Sequence, residues 1–439
     1  MRGFLGLPAG VTSIGVTCAV ALVLPLAPPA TAAAPPGGSP AGAAVPGGTQ
    51  SLPLAPLGRE RTPGAVPERG LYRTGVRHFS LVGVIWDDPD AALRGTVQVR
   101  TRSAASGAWS GWQDVETHNE DHGADPATAE RSSGRVRGAT APLWVGDSDG
   151  VDVRVRADSA PDRAVTDRGR GGDPSPALPS GLRLELVDPG GGTSARTRAD
   201  SPRALPALSR PGTEPETDRP RAEGEPGAAG GRAPQVKPYI GPRPGIVTRR
   251  GWGADESLRE RAFVYTTKVK AAFVHHTSTG NNYSCSQAPS VIRGIYRYHV
   301  KSMGWRDIGY NFLVDKCGTI YEGRAGGVAL AVLGAHTLGF NSNSMGVAVI
   351  GSYGSSKPSG AAVTAVAKLT AWKLGLFGAD PRGKTYLTSG GGNRYPKGKS
   401  VRLNVISGHR DGFATSCPGA RLYAKLGSAR SSAARYQGR

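Results

Sequence analysis

His409 and Cys417 stand eight positions apart in SGHRDGFATSCPG (407–419), a Gly- and Ser-rich segment that follows an apolar run, Val401 to Ile406. Far upstream, KAAFVHHT (270–277) ends a second apolar run in two adjacent histidines, His275 and His276. Two imidazoles and one thiolate suit zinc, and a site with three protein ligands keeps a fourth position for water, the catalytic form of such a site. Successive side chains of a strand point to opposite faces, so only one of the two adjacent histidines can share an ion with the loop. The competing reading of each residue is that a buried cysteine packs as a small hydrophobe and a loop histidine is solvated.

Further motifs accompany these: RRGWGADES (249–257), FVHHT (273–277), GWRDIGYNFLVDKCGTIYEGR (304–324), LGAHTLGFNSNSMGVAVIG (333–351) and GHRDGFATSCPG (408–419). In them the chain resembles the peptidoglycan recognition proteins and type 2 zinc N-acetylmuramoyl-L-alanine amidases. The resemblance implies a Zn2+ cofactor held by His275, the first of the pair, with His409 and Cys417, and it makes Tyr310 the catalytic tyrosine. Position 415 is a lysine in some phage members and a threonine in the animal recognition proteins; here it is Thr415, a second catalytic hydroxyl but a weaker oxyanion partner than an ammonium. Non-catalytic members typically lack the zinc cysteine, so the pattern is that of a catalytic one. The implied reaction is hydrolysis of the amide between the muramic acid lactyl group and the first L-alanine of the stem peptide. A groove for muramyl peptide is implied as well, with candidates His276, His299, Trp305, Arg324, His336 and Asn343. His336 and Arg324 best suit a substrate rich in carboxylates and amides. The H-E-x-x-H arrangement is absent from the chain, so no helix-borne glutamate base can be named. Two other readings are a peptidoglycan-binding module without catalysis and a zinc peptidase cutting within the stem peptide.

The elements that must position these residues alternate. A strand at 270–275 precedes a helix at 287–302, in which Val291, Ile295 and Tyr298 or His299 share a face. A hairpin follows, with strands near 309–315 and 318–322. The run 345–351 (MGVAVIG) is apolar on both faces and reads as a covered central strand. A helix at 360–376, a last strand at 401–406 and a terminal helix after Pro418 complete the pattern. The expectation is an α/β fold, a mixed β-sheet flanked by helices, over 238–428 with a basic tail at 429–439. The basic loop 378–402 reads as either a substrate flap or an insertion.

The first half has a different texture. Residues 1–34 have the layout of a secretory signal peptide, an uncharged stretch from Val11 followed by small residues near Ala32. Pro25, Pro28 and Pro29 interrupt it before it reaches the ~20 apolar residues of a membrane span. Residues 35–70 read as a Pro/Gly/Ala linker. Short alternating runs such as VDVRVRA (151–157) then indicate a small all-β, sandwich-like domain over 71–189. Trp109 and Trp112 in WSGWQ are either a sugar-stacking platform or turn packing, and His118 and His122 read as solvated loop residues. Residues 190–237 lack the apolar content to offset ordering entropy and read as a disordered tether.

Cys18 lies inside the leader, so three cysteines remain after cleavage. In an oxidising space, with Cys417 on the metal, Cys285 and Cys317 are left as a disulfide pair. Charge divides the chain: residues 1–237 hold 26 Lys plus Arg against 26 Asp plus Glu, and 238–439 hold 28 against 8, so the whole excess of +20 lies in the second half. A basic domain gathers on polyanions. For an exported protein associated with the cell wall the fitting ones are anionic wall polymers; no groove-reading motif favours nucleic acid.

Overall fold

The computed structural model describes residues 47–57, 66–158, 177–191, 202–208 and 239–439, all within one unit, Ala44–Arg439. The expected leader lies outside the described residues.

In the β-rich half a nine-stranded antiparallel sheet is folded over on itself. The long strand Leu143–Ala157 causes the fold: its first part pairs with Phe79–Trp86, and its second with Gly95–Ser103 and Glu68–Arg73. Alternation along VDVRVRA puts Val151, Val153 and Val155 inside, against Val82, Val84, Leu184 and Leu186. The stretch read as a linker contributes to this sheet, because Gly48–Pro53 pairs along its full length with Arg183–Asp188. Polar GTQSLP lacks the alternation of a half-buried strand, yet backbone pairing at a sheet edge makes no such demand. Trp109 and Trp112 carry Arg100 over their rings at 5.3 and 5.2 Å, with Arg154 over Trp112 at 4.3 Å. These cation–π contacts hold the two rings beside the strand, and Trp109 stays exposed.

The second half is a mixed seven-stranded sheet, in spatial order Ala204–Leu205, Ile246–Val247, Ile320–Glu322, Phe312–Val314, Ser344–Val349, Ala271–His276 and Ile406–Gly408. The expected central strand lies between Phe312–Val314 and Ala271–His276, parallel to both, and every residue of Ser344–Val349 is buried. On one face the even residues Ala272 and Val274 join Val347 and Val349 beneath the helix Gly360–Leu376. That helix starts where the Ser359 side chain accepts from the Ala362 amide. On the other face Leu313 and Ala348 meet the helix Ala288–Arg297, which continues into a wider turn, Tyr298–Ser302. Cys285, just before this helix, is disulfide-bonded to Cys317 in the hairpin.

Two further segments differ from expectation. Ala204–Leu205, within the expected tether, adds an edge strand to Ile246–Val247, and the Thr248 hydroxyl donates to the Pro202 carbonyl at 2.6 Å. The expected basic tail lies in a helix, Leu426–Gln437, which buries Ala429, Ala433, Ala434 and Gln437. Gln437 Nε2 donates to the Ala371 carbonyl at 2.9 Å, and the charges of Arg430 and Arg435 had masked this apolar stripe.

The two halves pack directly. Leu81 lies against Gly294 of the helix Ala288–Arg297, Tyr298 donates to the Thr140 carbonyl at 3.1 Å, and Ser302 donates to the Glu185 carboxylate at 2.8 Å.

Candidate metal centre

Alternation along Ala271–His276 decides between the adjacent histidines. His275 shares the face of Ala271 and Phe273, whereas His276 turns to the opposite face. There His276 Nε2 lies 3.0 Å from Ser278 Oγ, and Nδ1 accepts from the Tyr353 amide at 3.2 Å. His409 begins a short turn just after Ile406–Gly408, the strand paired with Ala271–His276. Cys417 is the free cysteine among the described residues, buried, with Sγ 3.8 Å from His275 Nδ1.

A fourth residue joins them. Ligand-capable atoms of His122, His275, His409 and Cys417 all lie within 4.8 Å of one another. His122 belongs to the β-rich half, and its side chain is only 8% exposed, which corrects the expectation that it is solvated. His118 is exposed as expected.

The hydrogen bonds fix the free lone pairs. His409 Nε2 donates to the Asp121 carbonyl at 3.2 Å, and His122 Nδ1 donates to the Asp121 carboxylate at 2.8 Å. The remaining nitrogens, His409 Nδ1 and His122 Nε2, are buried without a hydrogen-bond partner, the Asp121 carboxylate standing off the first at 3.5 Å. Burial alone does not explain two orphaned lone pairs beside a cysteine, since buried polar atoms are normally satisfied. A divalent cation with a preference for nitrogen and sulfur fits this donor set. His275 is held from behind: its Nε2 lies 3.3 Å from both His336 Nδ1 and Thr337 Oγ1.

Without a cation, burial holds His409 down to about 3 and His275 well below the ordinary imidazole value. Burial likewise pushes the Cys417 thiol well up. Neutral imidazoles are the ligand form, and a bound cation reverses the preference of the thiol. Tyr310 is buried with its ring 5.6 Å from that of His275, and burial raises its hydroxyl well above the ordinary phenol value, so it keeps its proton. Thr415 accepts from the Cys417 amide at 3.1 Å and faces the Asp121 carboxylate.

The groove candidates scatter. His299 accepts from the Gly309 amide at 3.1 Å and stacks on Trp305 at 4.4 Å, both buried beside Tyr310. His336 is fully buried behind His275, where it orients a ligand candidate and lines no groove. Arg324 is engaged by a carboxylate of the other half, with Nη1 and Nη2 donating to Glu130 at 2.9 and 3.0 Å. Asn343 sits before the central strand, at the opposite end of the sheet from His275, and bonds Thr266 at 2.7 Å. The loop 378–402 forms a hairpin, Lys384–Thr388 with Ser400–Asn404, and Gly390 donates to Gly339 at 2.7 Å. Asp121, His122 and Glu130 were not foreseen. The one local signal of the first two is the polarity of THNEDHGAD (117–125), which a surface loop shares; Glu130 lies beyond it.

Comparison with known proteins agrees with this architecture. A family described as N-acetylmuramoyl-L-alanine amidase matches residues 265–420, and one described as Rv3811 N-terminal galactose-binding domain-like matches 36–176. Peptidoglycan-recognition protein SC1a/b of Drosophila simulans is 31% identical over 181 residues, covering 41% of this chain and 83% of that protein. Human N-acetylmuramoyl-L-alanine amidase is 32% identical over 186 residues, 41% of this chain and 27% of its own. Among solved structures, peptidoglycan recognition protein-LE in complex with tracheal cytotoxin is 29% identical, covering 42% of this chain and 92% of that one, with a TM-score of 0.32. The second half is thus an amidase-type domain behind a β-rich one. The chain belongs to the family of peptidoglycan-recognition proteins and N-acetylmuramoyl-L-alanine amidases. Among the described residues no helix is long and apolar enough to cross a membrane.

Proposed function

We propose that the chain is an exported, zinc-dependent N-acetylmuramoyl-L-alanine amidase that splits the amide between the lactyl group of muramic acid and the first L-alanine of the stem peptide. The observation that carries this reading is the convergence of His275, His409 and Cys417, from three separate segments, beside the protonated Tyr310. The leader-like start, the disulfide and the basic second half support export and retention at anionic wall polymers.

These three residues would hold the metal, with His336 and Thr337 orienting His275 and the Asp121 carbonyl orienting His409. Zinc, when bound, lowers the pKa of a coordinated water toward neutrality and polarises the scissile carbonyl. Tyr310 donates a hydrogen bond to the carbonyl oxygen as it gains charge, at a buried position where such a bond is worth more than in water. Thr415 offers a second, weaker hydroxyl. His299 lies beside Tyr310, with ring centroids 5.8 Å apart, and Trp305 packs against His299 in turn at 4.4 Å.

The test is digestion of purified peptidoglycan by the full chain and by its His122→Gln variant, with a chelator and after zinc is restored, read by mass spectrometry. Stem peptides with a free L-alanine amino terminus, lost on chelation, are the expected product. A new terminus inside the stem makes the protein a peptidase; binding without any release by either zinc-loaded protein makes it a receptor.

A further inference from the structure

The geometry points to His122 as a fourth ligand to the same metal, supplied by the β-rich half, that closes the position a catalytic site keeps open for water. The coordination rests on the side chains alone; its consequence, that the chain folds as a latent enzyme, rests on the amidase reading.

His122 is built into this place. Its ring lies 4.7 Å from that of His409, 5.4 Å from His275 and 5.7 Å from Tyr310. The bond from Nδ1 to Asp121 fixes the tautomer and leaves Nε2 bare, buried and within the ligand cluster. An imidazole whose other N–H is held by a carboxylate is the usual state of a histidine on zinc. One thiolate and three imidazoles complete a tetrahedron, the closed arrangement of structural rather than catalytic sites.

The segment carrying His122 is fastened on both sides. Before it, the Asp121 carbonyl accepts from the Leu338 amide at 2.9 Å as well as from His409. After it, the Gly123 carbonyl accepts from Asn341 at 2.8 Å, and Asp125 accepts from the Gly339 amide at 2.8 Å and from Asn341 at 2.7 Å. Further on, Glu130 takes both arms of Arg324 and accepts from the Arg306 amide at 3.1 Å. Residues 121–130 therefore set peptide carbonyls and carboxylates against His409, the 338–341 segment, Arg306 and Arg324, the same chemistry a stem peptide offers. Substrate must displace a peptide tethered to its own site, and such a tether acts at a high effective concentration.

X-ray absorption at the zinc edge of the full chain decides the coordination without any turnover. The expected first shell is one sulfur and three imidazole nitrogens; two imidazoles and a solvent oxygen in the unaltered chain would overturn the proposal. In the His122→Gln variant, still holding one zinc per chain, one imidazole is replaced by oxygen, and binding of a soluble muramyl tripeptide tightens by about tenfold because the closed state has lost one of its fastenings. An unchanged imidazole count or unchanged tripeptide affinity in that variant counts against it. Three imidazoles in the unaltered chain with no hydrolysis by either protein leaves His122 a ligand and removes the amidase reading, so the two fail separately.

Discussion

Nε2 of His275 lies 3.3 Å from Nδ1 of His336, a residue with no exposed surface. This contact turns the other nitrogen of His275 toward Cys417. His336 can take its position because Gly346, on the central strand beneath it, has no side chain; a Cβ there would collide with the imidazole.

His336→Ala is therefore expected to weaken zinc binding by roughly 10–100-fold, the usual effect of removing a partner that orients a ligand. Gly346→Ala should lower metal affinity in the same direction by displacing His336. Competition against a chromophoric chelator measures both, and unaltered affinity in both variants would remove His336 from this role.

Cys417→Ser should abolish stoichiometric zinc binding and hydrolysis together while leaving association with peptidoglycan intact. Metal analysis and a wall pull-down on one preparation check it. Loss of association as well would tie the wall-binding surface to the metal itself.

The metal-free protein should lose stability as pH falls from 6.5 toward 4.5. Burial holds His409 down to about 3 and His276 to about 4 in the folded chain, whereas unfolded imidazoles titrate near 6.5. Between these values the unfolded chain binds more protons, so acid favours unfolding; above 6.5 both states are neutral and the effect vanishes. Thermal melts of chelated protein across this window test the sign, and a flat profile contradicts the buried neutral histidines.

Breaking a buried ion pair on one side strands the other charge. Glu130→Ala leaves Arg324 without its carboxylate and should cost about 3–5 kcal/mol in urea unfolding. Adding Arg324→Met should recover part of that loss, and strict additivity of the two changes would deny the coupling.

Reduction of Cys285–Cys317, separated by 32 residues, should cost about 3–4 kcal/mol by the chain-entropy relation. Denaturant curves with and without reductant provide the measurement, and coincident midpoints would refute it.

Much of the second half was legible in the chain. Alternating or continuous apolar runs mark buried strands, so 345–351 announced a covered central strand, and the apolar spacing of 360–376 announced its helix. The three ligand candidates were legible because they stand in motifs with fixed neighbours. His122 and Glu130 were not, because their partners lie 150 or more positions away and a solvent-facing loop uses the same polar residues. Gly48–Pro53 was hidden for a related reason: edge pairing uses backbone groups, which composition does not register. Arg324 was read as a binder of substrate carboxylates, whereas in the structure its guanidinium is held by Glu130 of the chain itself.

The seam between the halves also governs how the molecule can be shortened. Leu81 seats on Gly294, and Tyr298 reaches under the backbone at Gly83 to Thr140, so residues 239–439 expressed alone would bare the outer side of the helix Ala288–Arg297. Such a fragment would be sticky in solution, and a soluble minimal version of the second half would first need that strip repainted with polar side chains.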